Sequence, residues 1–144
     1  MEALDAFAWD LGHPWAYPAL EVVHILGIGI LLGNLLLFEL RVWGVARELP
    51  LPALARVSLP LALLGFVLAV TSGVAMFLGQ PAELVANRAF VIKMALLALA
   101  GGNAAFFHAR GGTDRIDPLA RGCTALSLLL WVAAIACGRF IAYV

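Results

Sequence analysis

Four stretches of the chain, roughly residues 17–41, 57–79, 86–108 and 119–142, are each long and predominantly apolar. About 20 such residues are what an α-helix needs to cross the hydrocarbon core of a bilayer. Inside lipid a helix satisfies its own backbone N–H and C=O groups, so apolar stretches of this length are read as spanning helices. The breaks between them carry turn signals: Pro50 and Pro52, then Gly79-Gln80-Pro81, then Gly111-Gly112 through Pro118. Trp15, Tyr17, Trp43 and Tyr143 fall at span ends, where an aromatic belt sits. The chain is 64% hydrophobic and 12% charged, against about 45–50% and 25% for soluble domains. The sequence therefore predicts an all-α integral membrane four-helix bundle, one transmembrane domain over 1–144, with no sizeable water-soluble domain. Net charge is zero, which argues against a nucleic-acid partner. No Ser/His/Asp arrangement, phosphate loop or zinc motif is present, so a hydrolytic enzyme is not expected.

Basic residues set the expected orientation. The first loop carries Arg41, Arg47 and Arg56, the second region only Arg88, and the third loop Arg110, Arg115 and Arg121. Lys and Arg concentrate on the cytoplasmic side of membrane proteins. Both termini are then expected to face outward, which in the inner membrane of a bacterium is the periplasm. The first basic residue is Arg41, so the basic n-region of a cleavable signal peptide is not seen. Cys123 and Cys137 share the last span, 14 residues or roughly 21 Å apart, and cannot bridge within one helix.

The spans also repeat. GNLLLFELR (33–41) matches GNAAFFHAR (102–110) at an offset of 69, and LLGFVLAVTSG (63–73) matches LLLWVAAIACG (128–138) at an offset of 65. The expectation is two tandem helical hairpins, about 17–79 and 86–144, related by an axis along the membrane normal. Residues 69 apart should lie at similar depth, so the polar side chains form layers. Asn34 matches Asn103 in the inner half, and each is expected to act as glue between helices, as are Gly27, Gly29 and Gly33 through close packing. Glu39 matches His108 near the cytoplasmic end. Together with Arg41 and Arg110 they are expected to form a solvated or loosely paired rim, because long side chains there snorkel to water.

The outer half reads differently. His24 matches Lys93, roughly 7 Å from the midplane by helix rise, and Glu21 lies just above with Arg88 and Arg139 near the same level. Ionisable groups at that depth are costly and are functional candidates. The bland alternative is a self-satisfied structural cluster, with Glu21 reaching His24 at i,i+3 and pairing with Lys93 or Arg88 across helices.

The first span, ALEVVHILGIGILLGNLLLFELRVWG, has a Glu–x–x–His followed by spaced glycines and a Glu-Leu-Arg ending, and the third carries NRAFVIKMALL…N….H. These motifs resemble a family of small uncharacterised bacterial four-helix inner-membrane proteins. That family looks distantly like the copper-resistance protein D group and small b-type membrane cytochromes. The resemblance covers most of the chain, and the positions it carries over are Glu21, His24, Lys93, Asn103 and His108. It implies haem b and electron transfer, or copper handling. One departure matters: such cytochromes hold haem between two histidines at one depth, whereas His24 and His108 differ by roughly 20 Å. His13, before Pro14, reads as a surface residue.

Three functions compete. In the first, a haem b electron carrier uses His24 as an axial ligand, with Met76, Lys93, a dimer mate's His24 or no residue as the second. Lys93, Arg88 and Arg139 would neutralise the propionates, and a quinone could take the same pocket. In the second, a periplasm-facing copper protein draws on His13, His24, Met76 and Cys137, whose imidazole and sulfur donors suit copper. Lys93 close by counts against it, as does the lack of a Met-rich or Cys-x-x-Cys motif. In the third, the chain is a non-catalytic scaffold or a subunit of a larger membrane complex; a homodimer is a possible partner arrangement throughout.

Overall fold

The computed structural model describes residues 14–113 and 116–143. His13 and Arg115 lie outside the described residues. The chain forms α1 (Ala16–Trp43), α2 (Leu51–Gly79), a short α3 (Pro81–Ala86), α4 (Arg88–Ala109) and α5 (Pro118–Phe140), with no strand among the described residues. The shortest of the four long helices, α4, has 22 residues, or roughly 33 Å of rise, enough to cross about 30 Å of hydrocarbon. Their most apolar stretches are only 11–28% buried within the molecule. Leu, Val and Ile side chains instead cover the outside, including Val22, Ile25, Leu63, Val91 and Leu129. Water could not solvate such a surface; the chain is a multi-pass membrane protein whose remaining apolar surface is covered by lipid.

Helix ends follow local chemistry. Gly44 takes φ 101°, and its N–H bonds Arg41 O while Val45 N–H bonds Leu40 O. This left-handed close satisfies carbonyls that α1 would leave open. α2 begins at Leu51, six residues before the sequence expectation, because Pro50 and Pro52 suit a helix start, where no N–H is needed. Asn87 breaks the chain between α3 and α4 and caps α4 by accepting from Phe90 N–H at 3.1 Å. Asp117 caps α5 by accepting from Ala120 N–H at 2.7 Å.

Two antiparallel hairpins, α1–α2 and α4–α5, carry most of the packing, and α1 against α5 joins them. The first hairpin closes on glycine. A Cβ added to Gly27 would stand 2.7 Å from Ala69 N and 2.8 Å from Gly65 O, and one on Gly65 would collide with the Leu31 backbone nitrogen. Gly29 and Gly33 do not share this role; nothing lies within 4 Å of a Cβ at either. They sit on the side of α1 turned away from α2. The second hairpin packs less closely, leaving a groove of about 350 Å³ between α4 and α5, lined by Ala98, Gly102, Asn103, Phe106, Leu126 and Leu130 among others.

The hairpins meet through aromatic pairs. Phe38 and Phe107 stand edge to face at 6.0 Å, as do Phe66 and Trp131 at 6.2 Å. Phe77 stacks on Phe90 at 5.6 Å. Phe38, Val42, Leu51, Phe107, Ala120 and Cys123 form a buried core toward the end that carries the segments after Trp43 and Ala109. That end is the loop end; the other, where α1 begins and α5 finishes, is the terminal end.

Candidate functional site

At the terminal end the two hairpins each hold one polar side chain in their seam. His24 lies eight residues into α1, roughly 12 Å from its start. Its Nδ1 lies 2.8 Å from the Ala69 carbonyl and 3.1 Å from the Ser72 hydroxyl, both on α2. A carbonyl can only accept, so Nδ1 carries a hydrogen, and in the neutral ring Nε2 then holds the lone pair. The ring is admitted by Gly73, where a Cβ would stand 3.2 Å from His24 Cε1. Ala69, Ser72, Gly73 and Met76 follow one another at i, i+3, i+4 and i+7, so half-buried Met76 continues the same face one turn toward the terminal end.

Lys93 occupies the seam of the second hairpin. A Cβ on Gly138 would stand 3.4 Å from its Nζ, and Cys137 is its neighbour on α5. Lys93 and His24 are close enough to interact electrostatically. The offsets of 69 and 65 pair His24 with Lys93, Ser72 with Cys137 and Gly73 with Gly138. The two seams hold different chemistry: an imidazole against a hydroxyl, and a lysine beside a cysteine.

The other residues expected in this layer stand apart. Glu21 is exposed and makes no ion pair; among the described residues the one salt bridge joins Arg110 to Asp117. The Glu21–His24 contact of the structural alternative is not formed; the His24 ring turns to Ala69 and Ser72 of α2. Arg88 is exposed. Arg139 is also exposed and turns to Tyr143, bonding its hydroxyl at 2.6 Å with the guanidinium 4.9 Å from the ring centre. The cationic layer read from sequence therefore reduces, inside the bundle, to Lys93.

At the loop end the expected rim holds in part. His108 is exposed, its ring edge-on to Phe107 at 5.5 Å. Arg41 donates to the Leu49 and Arg47 carbonyls at 2.6 and 3.2 Å. Arg110 pairs with both oxygens of Asp117, at 3.1 and 2.6 Å, and its guanidinium holds that carboxyl down to about 2. Glu39 is the exception. It is 2% exposed, and among the described residues its Oε2 has no hydrogen-bond partner. Its polar neighbour is Ser127 on α5. A carboxylate has too short a stem to snorkel, and Glu39 falls on the core stripe of α1 beside Phe38 and Val42.

The two asparagines also differ. Asn103 donates across the hairpin to the Cys123 carbonyl at 2.8 Å, as expected of interhelical glue. Asn34 donates to Ile30 O of its own helix at 2.8 Å. The tight Gly27–Gly65 contact already closes its hairpin.

Sequence reasoning missed Ser72 and Ser127. Both were legible only as small polar residues on otherwise apolar helices, which carries no partner information. Among the described residues no three His, Cys, Asp or Glu side chains converge. No protein-family model, curated protein or solved structure matches this chain.

Proposed function

We propose that this is a small membrane electron carrier that takes haem b through His24, in the bacterial inner membrane with both termini periplasmic. The observation that carries the reading is the state of the imidazole. Metal-ligating histidines donate one ring N–H to a carbonyl or carboxylate and ligate through the other nitrogen. His24 does the first with Ala69 through Nδ1, which in the neutral ring leaves Nε2 as the nitrogen that could ligate. Ser72 and Gly73 support the same orientation, one by its hydroxyl and the other by leaving room. Lys93 supplies a cation for an acidic substituent, and Met76 follows Ser72 on the same face of α2 as a candidate second donor. Bound haem would supply one-electron chemistry; the protein's part is to ligate, orient and exclude water. Copper is the second reading, favoured by the sulfur donors Met76 and Cys137 at the same end. A quinone partner, a homodimer and a larger membrane complex are compatible with either.

The test is the visible spectrum and metal content of protein purified from haem-replete cells. The proposal expects a Soret band that His24→Ala abolishes or strongly shifts and His108→Ala leaves nearly unchanged, since His108 stands exposed at the opposite end. Bound copper lost in His24→Ala, with no Soret band, would replace haem by the second reading. Wild-type protein that is folded, colourless and metal-free would remove both.

A further inference from the structure

The loop end holds a group that the terminal site does not use. Glu39 is 2% exposed, lies four residues or roughly 6 Å from the end of α1, and leaves Oε2 without a partner. We infer that Glu39 is a proton-binding site set where the two hairpins join, storing a proton inside the bundle and exchanging it with water at the loop end.

Among the described residues the groups around it leave no other ligand. α1 itself brings Arg41, which is committed to the Leu49 and Arg47 carbonyls. Arg47 donates to Gly44 O at 3.1 Å. α2 brings Arg56, and α4 brings His108, both exposed. α5 brings exposed Arg121, the buried thiol Cys123, the Ser127 hydroxyl, and a Thr124 hydroxyl that already accepts from Trp43 Nε1–H at 2.8 Å. Arg110 is taken by Asp117. With no cation beside it among the described residues, a carboxylate would stand uncompensated beside a core of Phe38, Val42 and Phe107, which is strongly unfavourable. A metal ion would need several oxygen ligands, and among the described residues the carboxyl has beside it the Ser127 hydroxyl and a Thr124 hydroxyl already bonded to Trp43. A proton needs neither. In the exchange the carboxyl O–H bond breaks, the electron pair stays on the carboxylate, and the proton passes to water. The short distance to the end of α1 makes the loop side the route.

Glu39 also lies on the α1–α5 contact that joins the hairpins, so its charge state bears on how they seat together. A neutral acid fits the contact as observed. A charged one would draw water into it.

The experiment uses the full chain reconstituted in lipid vesicles and treated with dicyclohexylcarbodiimide, which partitions into hydrocarbon and reacts with protonated carboxyls there. Peptide mass spectrometry should find the adduct on Glu39 and none on exposed Glu21, Glu48 or Glu83. Labelling should fall as pH is raised, and Glu39→Gln should abolish it. Infrared spectra of wild-type protein should show the carbonyl stretch of a protonated carboxylic acid at neutral pH. That measurement needs no variant to fold. Absence of both the adduct at Glu39 and the infrared band would overturn the inference, as would adducts appearing equally on the exposed glutamates.

Discussion

Replacing Gly65 by alanine tests how the first hairpin is held together. The added methyl would collide with the Leu31 backbone nitrogen, standing 2.6 Å from the Gly27 oxygen and 3.0 Å from the Leu31 Cα. Non-bonded carbon contacts settle near 3.5–4.0 Å, so α1 and α2 must part by about 1 Å. Overpacking typically costs about 1–3 kcal/mol. Here the obstacles are backbone atoms that cannot swing aside, which points to about 2–3 kcal/mol. Alanine regains about 0.5–1 kcal/mol of helix propensity over glycine, leaving a net loss of about 2 kcal/mol. Gly33→Ala is the matched control. Nothing lies within 4 Å of its added methyl, so only the propensity gain of about 0.5–1 kcal/mol remains. The assay is reversible unfolding in mixed micelles of rising dodecyl sulfate fraction, followed by tryptophan fluorescence. Gly65→Ala within about 0.5 kcal/mol of wild type, or Gly33→Ala losing as much as Gly65→Ala, would refute the reasoning.

Acid should weaken the α4–α5 connection. The Asp117 carboxyl is held at about 2 by Arg110, below its ordinary 3.8. Its contribution is present above the unfolded value and lost as pH falls through the folded one, between about pH 4 and pH 2. Asp117→Asn keeps a good capping side chain but loses the charge, so the slope of stability against pH in that window should flatten in thermal melts. Topology is checked by phosphatase fusions: activity at Val144 and none near Arg115 is expected, and the reverse result would turn the protein over and move His24 to the cytoplasmic side.

Much of the fold is legible in the chain because lipid imposes a simple rule. Length and apolarity alone fix where a helix can span, and Gly44, Asn87 and Asp117 mark its ends by local chemistry. The candidate site is only partly legible. His24 and Lys93 stand out because ionisable groups are scarce in the spans. Their partners do not: Ala69 contributes through a backbone carbonyl, which any residue possesses. Depth read along the helix also misplaces Glu39 and Arg139. Both lie near helix ends, yet one is buried and the other exposed. What separates them is the direction around the helix, set by which neighbour packs there.

The sequence by itself determined that the chain crosses a membrane in four helices, because no other structure satisfies the backbone of such apolar stretches in lipid. It also determined which side chains would be costly at depth. The tertiary structure alone decided what each of them does. Packing of α1 on α2 turned the His24 Nδ1 toward Ala69 and Ser72. Packing of α4 on α5 set Lys93 beside Cys137. The joining of α1 to α5 enclosed Glu39 with an oxygen unpartnered. Hydrophobicity is a property of each residue and can be read one at a time. A hydrogen bond, or the lack of one, belongs to a pair and exists only once the helices meet.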